Sequence, residues 1–143
     1  MIYEVKKAGM IIGIASVLDE MFVLRYGADQ VEVYDSVYFE LERNIDVPNM
    51  QWARNMAACR VNGCLYITDS TVRCVHRVDI STNVITKLSV DGFPFGVSVT
   101  NKNDILVTFD NVCRSFFYLV HKCCSHSLHL MQTNYKNFVS RKH

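Results

Sequence analysis

Three apolar, β-rich runs recur along the chain at nearly even distances, and this repetition restricts the fold more than any other feature of the sequence. They are Met21-Phe22-Val23-Leu24-Arg25-Tyr26, Cys64-Leu65-Tyr66-Ile67-Thr68-Asp69 and Ile105-Leu106-Val107-Thr108-Phe109-Asp110. The second begins 43 residues after the first, and the third 41 after the second. Periods of ~40 to 50 residues belong to the blades of propellers. A helical repeat of that length would show apolar residues at helical spacing, which these runs lack.

The residues around each run repeat as well. A short strand of small and apolar residues precedes each: Gly13-Ile14-Ala15-Ser16-Val17, Met56-Ala57-Ala58-Cys59-Arg60-Val61 and Gly96-Val97-Ser98-Val99. Small side chains suit an innermost strand, where blades crowd around a central channel. Turns follow at Leu18-Asp19-Glu20, Asn62-Gly63 and Asn101-Lys102-Asn103-Asp104, and Asn62-Gly63 is a strong hairpin signal because both residues tolerate positive φ. A third, alternating strand comes next, Val31 to Asp35 and Val75 to Asp79, closed by an aspartate that can accept hydrogen bonds from the following turn. A fourth, more charged strand, Tyr38 to Ile45 and Asn83 to Val90, reads as the exposed outer edge. Four strands in antiparallel meander order make one blade. The expected fold is all-β, a partial and open β-propeller of four-stranded antiparallel blades of NHL or WD-repeat type, with an irregular C-terminal tail.

Asn62-Gly63-Cys64-Leu65-Tyr66-Ile67-Thr68-Asp69-Ser70, followed by Val75-His76-Arg77-Val78-Asp79, resembles blades of NHL-repeat proteins, and especially the C-terminal propellers of tripartite-motif proteins. Gly92-Phe93-Pro94-Phe95-Gly96-Val97-Ser98-Val99 is similar to the Pro-x-Gly-apolar lead-in to the next NHL blade. The likeness covers about residues 10 to 112, in motifs that WD and YVTN-type propellers also approximate. The Gly-His and Trp-Asp signatures of WD blades are missing, which favours NHL. No paired Cys/His cross-brace of RING or B-box spacing precedes the repeat, so this chain does not carry the ubiquitin-ligase activity of tripartite-motif proteins.

The blades are expected at about residues 10–47, 52–92 and 93–117, the third incomplete. Residues 118–143 lack blade-like alternation and hold Cys123-Cys124 and four of the five histidines. Such a segment reads as an irregular tail, disordered or the product of a gene-model artefact. Closed propellers use ~4 to 8 blades. Two and a half blades therefore imply a fragment of a longer protein, a chain that completes its ring by self-association, or an open stack. The fragment is the favoured reading.

A formal charge of +1, from fifteen Lys+Arg against fourteen Asp+Glu, offers no broad field for nucleic acid or an anionic membrane. Six cysteines without an Asn-x-Ser/Thr acceptor suggest a reducing, cytoplasmic setting. The apolar stretch Ala8 to Leu18 after Lys6-Lys7 is read as a first strand rather than a secretory leader, because Asp19-Glu20 follows and no small-x-small cleavage site is present.

Catalytic signatures are absent: no Gly-x-Ser-x-Gly elbow, no phosphate loop, and no Ser/His/Asp set fixed by spacing. Cys113, His121, Cys123, Cys124, His126 and His129 are ligand types that zinc accepts, but adjacent Cys123 and Cys124 do not match a zinc-finger spacing, so no metal or cofactor is expected. Cys59, Cys64 and Cys74 read as small apolar core residues, and His76 beside Arg77 as a surface pair. The calcium-dependent lactonases among six-bladed propellers hold their metal near the inner strands, where this sequence offers Asn55 and little other oxygen. The leading expectation is a non-catalytic protein-interaction module. Its partner would be met by loops at one face, Arg25 to Gln30, Asp69 to Arg73 and Asp110 to Arg114, with Arg25, Tyr26, Asp69, Arg73, Asp110 and Arg114 as candidate contacts. An RNA-binding propeller surface and a degenerate calcium-dependent lactonase-like propeller are the alternatives.

Overall fold

The computed structural model describes residues 9–109, 116–120 and 130–133. Among them are twelve strands and no helix, arranged as three four-stranded antiparallel sheets that each follow chain order. The first sheet is β1 (Ile11–Val17), β2 (Glu20–Arg25), β3 (Gln30–Asp35) and β4 (Leu41–Asp46). The second is β5 (Ala53–Cys59), β6 (Cys64–Asp69), β7 (Cys74–Asp79) and β8 (Ile85–Ser89). The third is β9 (Pro94–Val99), β10 (Ile105–Phe109), β11 (Phe116–Val120) and β12 (Leu130–Thr133). The three apolar runs are thus the second strands of three separate sheets. The third sheet takes its outer strands from both sides of residue 117 and beyond, so the described residues form three four-stranded blades rather than two and a half. Aromatic and β-branched residues at Phe116-Phe117-Tyr118-Leu119-Val120 suit a strand despite the weak alternation around them.

Blade contacts explain why β6 is buried at every position. Leu65, Ile67 and Val78 point towards the first sheet, into a core with Phe22, Leu24, Val31, Val33, Ile45 and Val47. Cys64, Tyr66 and Val75 point the other way, into a core with Val97, Ile105, Val107 and Phe109 of the third sheet. The period-2 alternation of strands therefore feeds two cores from one sheet. Side chains of this size stabilise the fold by about 1.5–3 kcal/mol each when fully buried. His76 belongs to the same double-faced sheet and is 1% exposed, so it is not the surface neighbour of Arg77 that the local sequence suggested.

Turn chemistry repeats with the strands. Asp35 Oδ1 accepts from the backbone N–H groups of Val37 (2.9 Å) and Tyr38 (2.6 Å), and Asp79 Oδ1 from those of Ser81 (3.0 Å) and Thr82 (3.0 Å). These turns are held to the β1–β2 and β5–β6 turns by Ser36 N–H to Asp19 O and Ile80 N–H to Gly63 O, which fixes one end of the blades. At Asn62-Gly63 only the glycine takes positive φ (58°), because Cys59 pairs with Cys64 across a longer loop than a two-residue hairpin.

Leu18 occupies the first loop position between the paired Val17 and Glu20, at φ 55° and 79% exposed. A leucine held there is strained and gains little burial in return. Leu18→Gly is expected to stabilise the chain by roughly 0.5–1 kcal/mol, read as a rise of a few degrees in thermal midpoint. An unchanged or lowered midpoint would show that the strain is absent.

Candidate functional site

At the opposite end of the blades, Val47 N–H donates to Asp29 O (2.8 Å) and Val90 N–H to Arg73 O (3.0 Å), so the β2–β3 and β6–β7 loops lie beside the connections that lead into the next sheet. The loops Arg25–Gln30 and Asp69–Arg73 are both at this end. Of the candidate contact residues there, Tyr26 is 47% exposed and Arg73 is exposed. Arg25 and Asp69 are buried, and this removes them from direct contact with a partner. Asp110 and Arg114 lie outside the described residues, as do Cys113, His121, Cys123, Cys124, His126 and His129.

Burial of Arg25 and Asp69 has a common cause, since they occupy matching positions at the ends of β2 and β6 and each pairs with the residue seven places on. Arg25 Nε donates to both oxygens of Glu32 (3.0 and 3.1 Å), and the Tyr34 hydroxyl donates to Glu32 Oε2 (2.8 Å). The hydrogen bond to Glu32 raises the Arg25 pKa above its ordinary value. Asp69 accepts from Gln51 N–H (2.9 Å), Trp52 N–H (3.1 Å), Val72 N–H (3.4 Å) and His76 Nε2 (3.1 Å). Burial alone would push the Asp69 carboxyl up. The hydrogen bonds from Gln51, His76, Trp52 and Val72 outweigh it and hold the group below its ordinary value. An ionised carboxylate requires the proton on His76 Nε2, which also lies 3.4 Å from the Cys74 thiol. Burial pushes that thiol up to about 11, so it is neutral, and the Cys74–His76–Asp69 group is sealed at 0–1% exposure. It acts as a staple that positions Trp52 and has no access to a substrate.

Trp52, Phe93 and Phe95, which are exposed around this staple, lie outside the loops Arg25–Gln30 and Asp69–Arg73. Each inner strand carries a bulge near its start. Ile11 pairs with Arg25 and Gly13 with Leu24, leaving Ile12; Ala53 pairs with Asp69 and Asn55 with Thr68, leaving Arg54. In the third sheet Pro94 pairs with Phe109 and Val97 with Val107, so Phe95 and Gly96 together face Thr108. Bulges re-aim side chains, and here two of them turn Arg54 and Phe95 onto the end surface. Thr68 Oγ1 donates to Phe95 O (2.6 Å) from the neighbouring blade, and Gly96 N–H donates to Thr108 Oγ1 (2.8 Å). A Cβ at position 96 would stand 2.7 Å from that hydroxyl, which explains the glycine of the Pro-x-Gly lead-in.

The result is a band of aromatic rings and guanidinium groups. Tyr26 meets Trp52 edge-on, with ring centroids 5.2 Å apart. The Arg54 guanidinium stacks 5.1 Å from the Trp52 centroid and 5.3 Å from that of Phe95, and its Nε donates to Ser70 Oγ (3.0 Å). Arg73 stacks 4.4 Å from the Phe93 centroid. Trp52, Phe93 and Phe95 are 40%, 44% and 47% exposed. Two aromatic residues flanking Pro94 at the head of an inner strand otherwise made of small side chains were the signal for this band in the sequence. Among the described residues no three His, Cys, Asp or Glu side chains converge as metal ligands, and the Asn55 amide oxygen is engaged by Met56 N–H (2.7 Å). No helix among them is long and apolar enough to cross a membrane.

No family model and no curated protein matches the sequence. Solved structures do match the fold. A nidogen/laminin complex aligns with TM-score 0.73 at 14% identity, over 89% of this chain and 50% of that one. Virginiamycin B lyase from Staphylococcus aureus aligns with TM-score 0.69 at 12% identity, over 87% of this chain and 41% of that one. Hsv2 of Kluyveromyces lactis aligns with TM-score 0.62 at 9% identity, over 89% and 38%. The chain spans half the length of these structures or less. These neighbours are β-propellers, and with its three separate antiparallel sheets this chain has the fold of a partial β-propeller.

Proposed function

We propose that the chain is a non-catalytic protein-interaction module, part of a larger cytoplasmic propeller of the NHL type found at the C-termini of tripartite-motif proteins. The observation that carries this reading is the band of exposed Tyr26, Trp52, Arg73, Phe93 and Phe95 around the half-buried Arg54 at one end of the blades. Aromatic residues and arginine are the types enriched at the energetic centres of protein interfaces. The free, buried thiols of Cys59, Cys64 and Cys74 support a reducing compartment. Ile14 on the inner strand of the first sheet is 60% exposed, and a further blade or a second copy would cover it.

A photo-reactive benzoylphenylalanine placed at Phe95, and separately at Val61 on the opposite end, tests the assignment in cells. Protein adducts are expected at position 95 in several-fold higher yield than at 61. Equal yields would remove the surface from consideration, and ribonuclease-sensitive adducts would transfer it to the RNA-binding alternative.

A further inference from the structure

The chemistry of the partner follows from how the band uses its own rings. A surface built to stack bases leaves aromatic faces open. Here the faces of Trp52, Phe95 and Phe93 are covered by guanidinium groups of the chain itself. What such an arrangement offers is the N–H groups of two arginines held against the rings, a donor fork suited to bidentate acceptors. Arg54 uses its Nε on Ser70, which leaves its terminal nitrogens available, and among the described residues neither Arg54 nor Arg73 pairs with a carboxylate. Asp29, Asp46 and Asp91 are exposed at the same end and make no ion pair with either arginine. The two guanidiniums rest on Phe95 and Phe93, two residues apart in sequence at the head of β9.

We infer that this surface binds an acidic segment of a partner protein, two of whose carboxylates seat on the Arg54 and Arg73 guanidiniums while apolar side chains between them cover the exposed parts of Phe93, Phe95 and Tyr26. The inference rests on the interaction-module reading above and adds the partner's charge to it. Unpaired cations flanked by exposed apolar rings match a peptide that alternates acidic and apolar residues.

The test uses the purified full chain and three labelled probes: a short peptide alternating glutamate with leucine, the same peptide with glutamine for glutamate, and oligouridylate. Fluorescence anisotropy is expected to show the glutamate peptide binding at least about tenfold more tightly than the glutamine peptide, a difference of about 1.4 kcal/mol. Arg54→Gln and Arg73→Gln should each weaken the glutamate peptide about tenfold. Arg73→Lys, which keeps the charge without the planar fork, should recover part of that loss, and Val61→Ala should change nothing. Circular dichroism of each variant separates lost binding from lost folding, and Arg73, exposed and outside the core, is the variant that decides if Arg54→Gln fails to fold. Equal binding of the glutamine peptide, dependent on Trp52, would overturn the acidic specificity while leaving an interaction surface in place. Absence of glutamate-peptide binding, or oligouridylate binding that depends on Arg54 and Arg73, would overturn the inference outright.

Discussion

Asp69→Ala is expected to destabilise the chain by about 3–5 kcal/mol, a large fraction of the stability of a domain this size. The substitution removes the acceptor for three backbone N–H groups and for His76 Nε2 at a site that is fully buried. Each stranded donor costs about 1–3 kcal/mol where water cannot replace its partner. His76 would keep only the 3.4 Å contact of Nε2 with the Cys74 thiol, since its Nδ1 is buried without a hydrogen-bond partner. Asp69→Asn keeps one acceptor oxygen and should cost less. The carboxyl is held below its ordinary value in the folded state, so its contribution is present above the unfolded value near about pH 4 and is lost as pH falls through the lower folded value. Urea titrations at neutral pH and near pH 3 should therefore show the wild type losing more stability on acidification than Asp69→Asn. Trp52 is the sole tryptophan of the sequence, so its emission reports the staple directly. Normal Trp52 emission and unchanged stability in Asp69→Ala would refute the assigned role.

The second large effect is expected at Ile67, where truncation to alanine should cost about 2–5 kcal/mol. Ile67 is fully buried between the second sheet and the first. Ile14→Ala, at a position 60% exposed on the inner strand of the first sheet, should remain within about 0.5 kcal/mol. Chemical denaturation of both variants provides the comparison. Similar costs at the two positions would mean that the sheets are not packed as separate blades.

Strand identity was legible because it depends on local pattern. The residues of β6 and the outer halves of β2 and β10 announce themselves by β-branched and aromatic content, and Asp35 and Asp79 by their place at strand ends. What the sequence concealed was burial on both faces. Alternation implies one wet side, yet in the middle blade the second side meets another sheet, so His76 and Asp69 went inside although their side chains are polar. The interaction band was hidden for a related reason. Arg54 and Phe95 face outward because each inner strand holds one residue more than its partner opposite, and a bulge leaves no mark in hydrophobic periodicity. Tyr26 and Arg73 were accessible to sequence reasoning because loops at one end of a meander must share a surface.

Because the second sheet lines two hydrophobic layers, the natural unit of this architecture is the seam between neighbouring blades and not the blade. Cutting the chain after β8 would leave Cys64, Tyr66 and Val75 facing water, and grafting the middle blade elsewhere would require matching surfaces on both flanks. Evolutionary duplication or exchange in such a chain preserves solubility when the breakpoints carry half of one seam and half of the next. A recombinant boundary drawn at a strand-to-strand connection inside a sheet would satisfy neither.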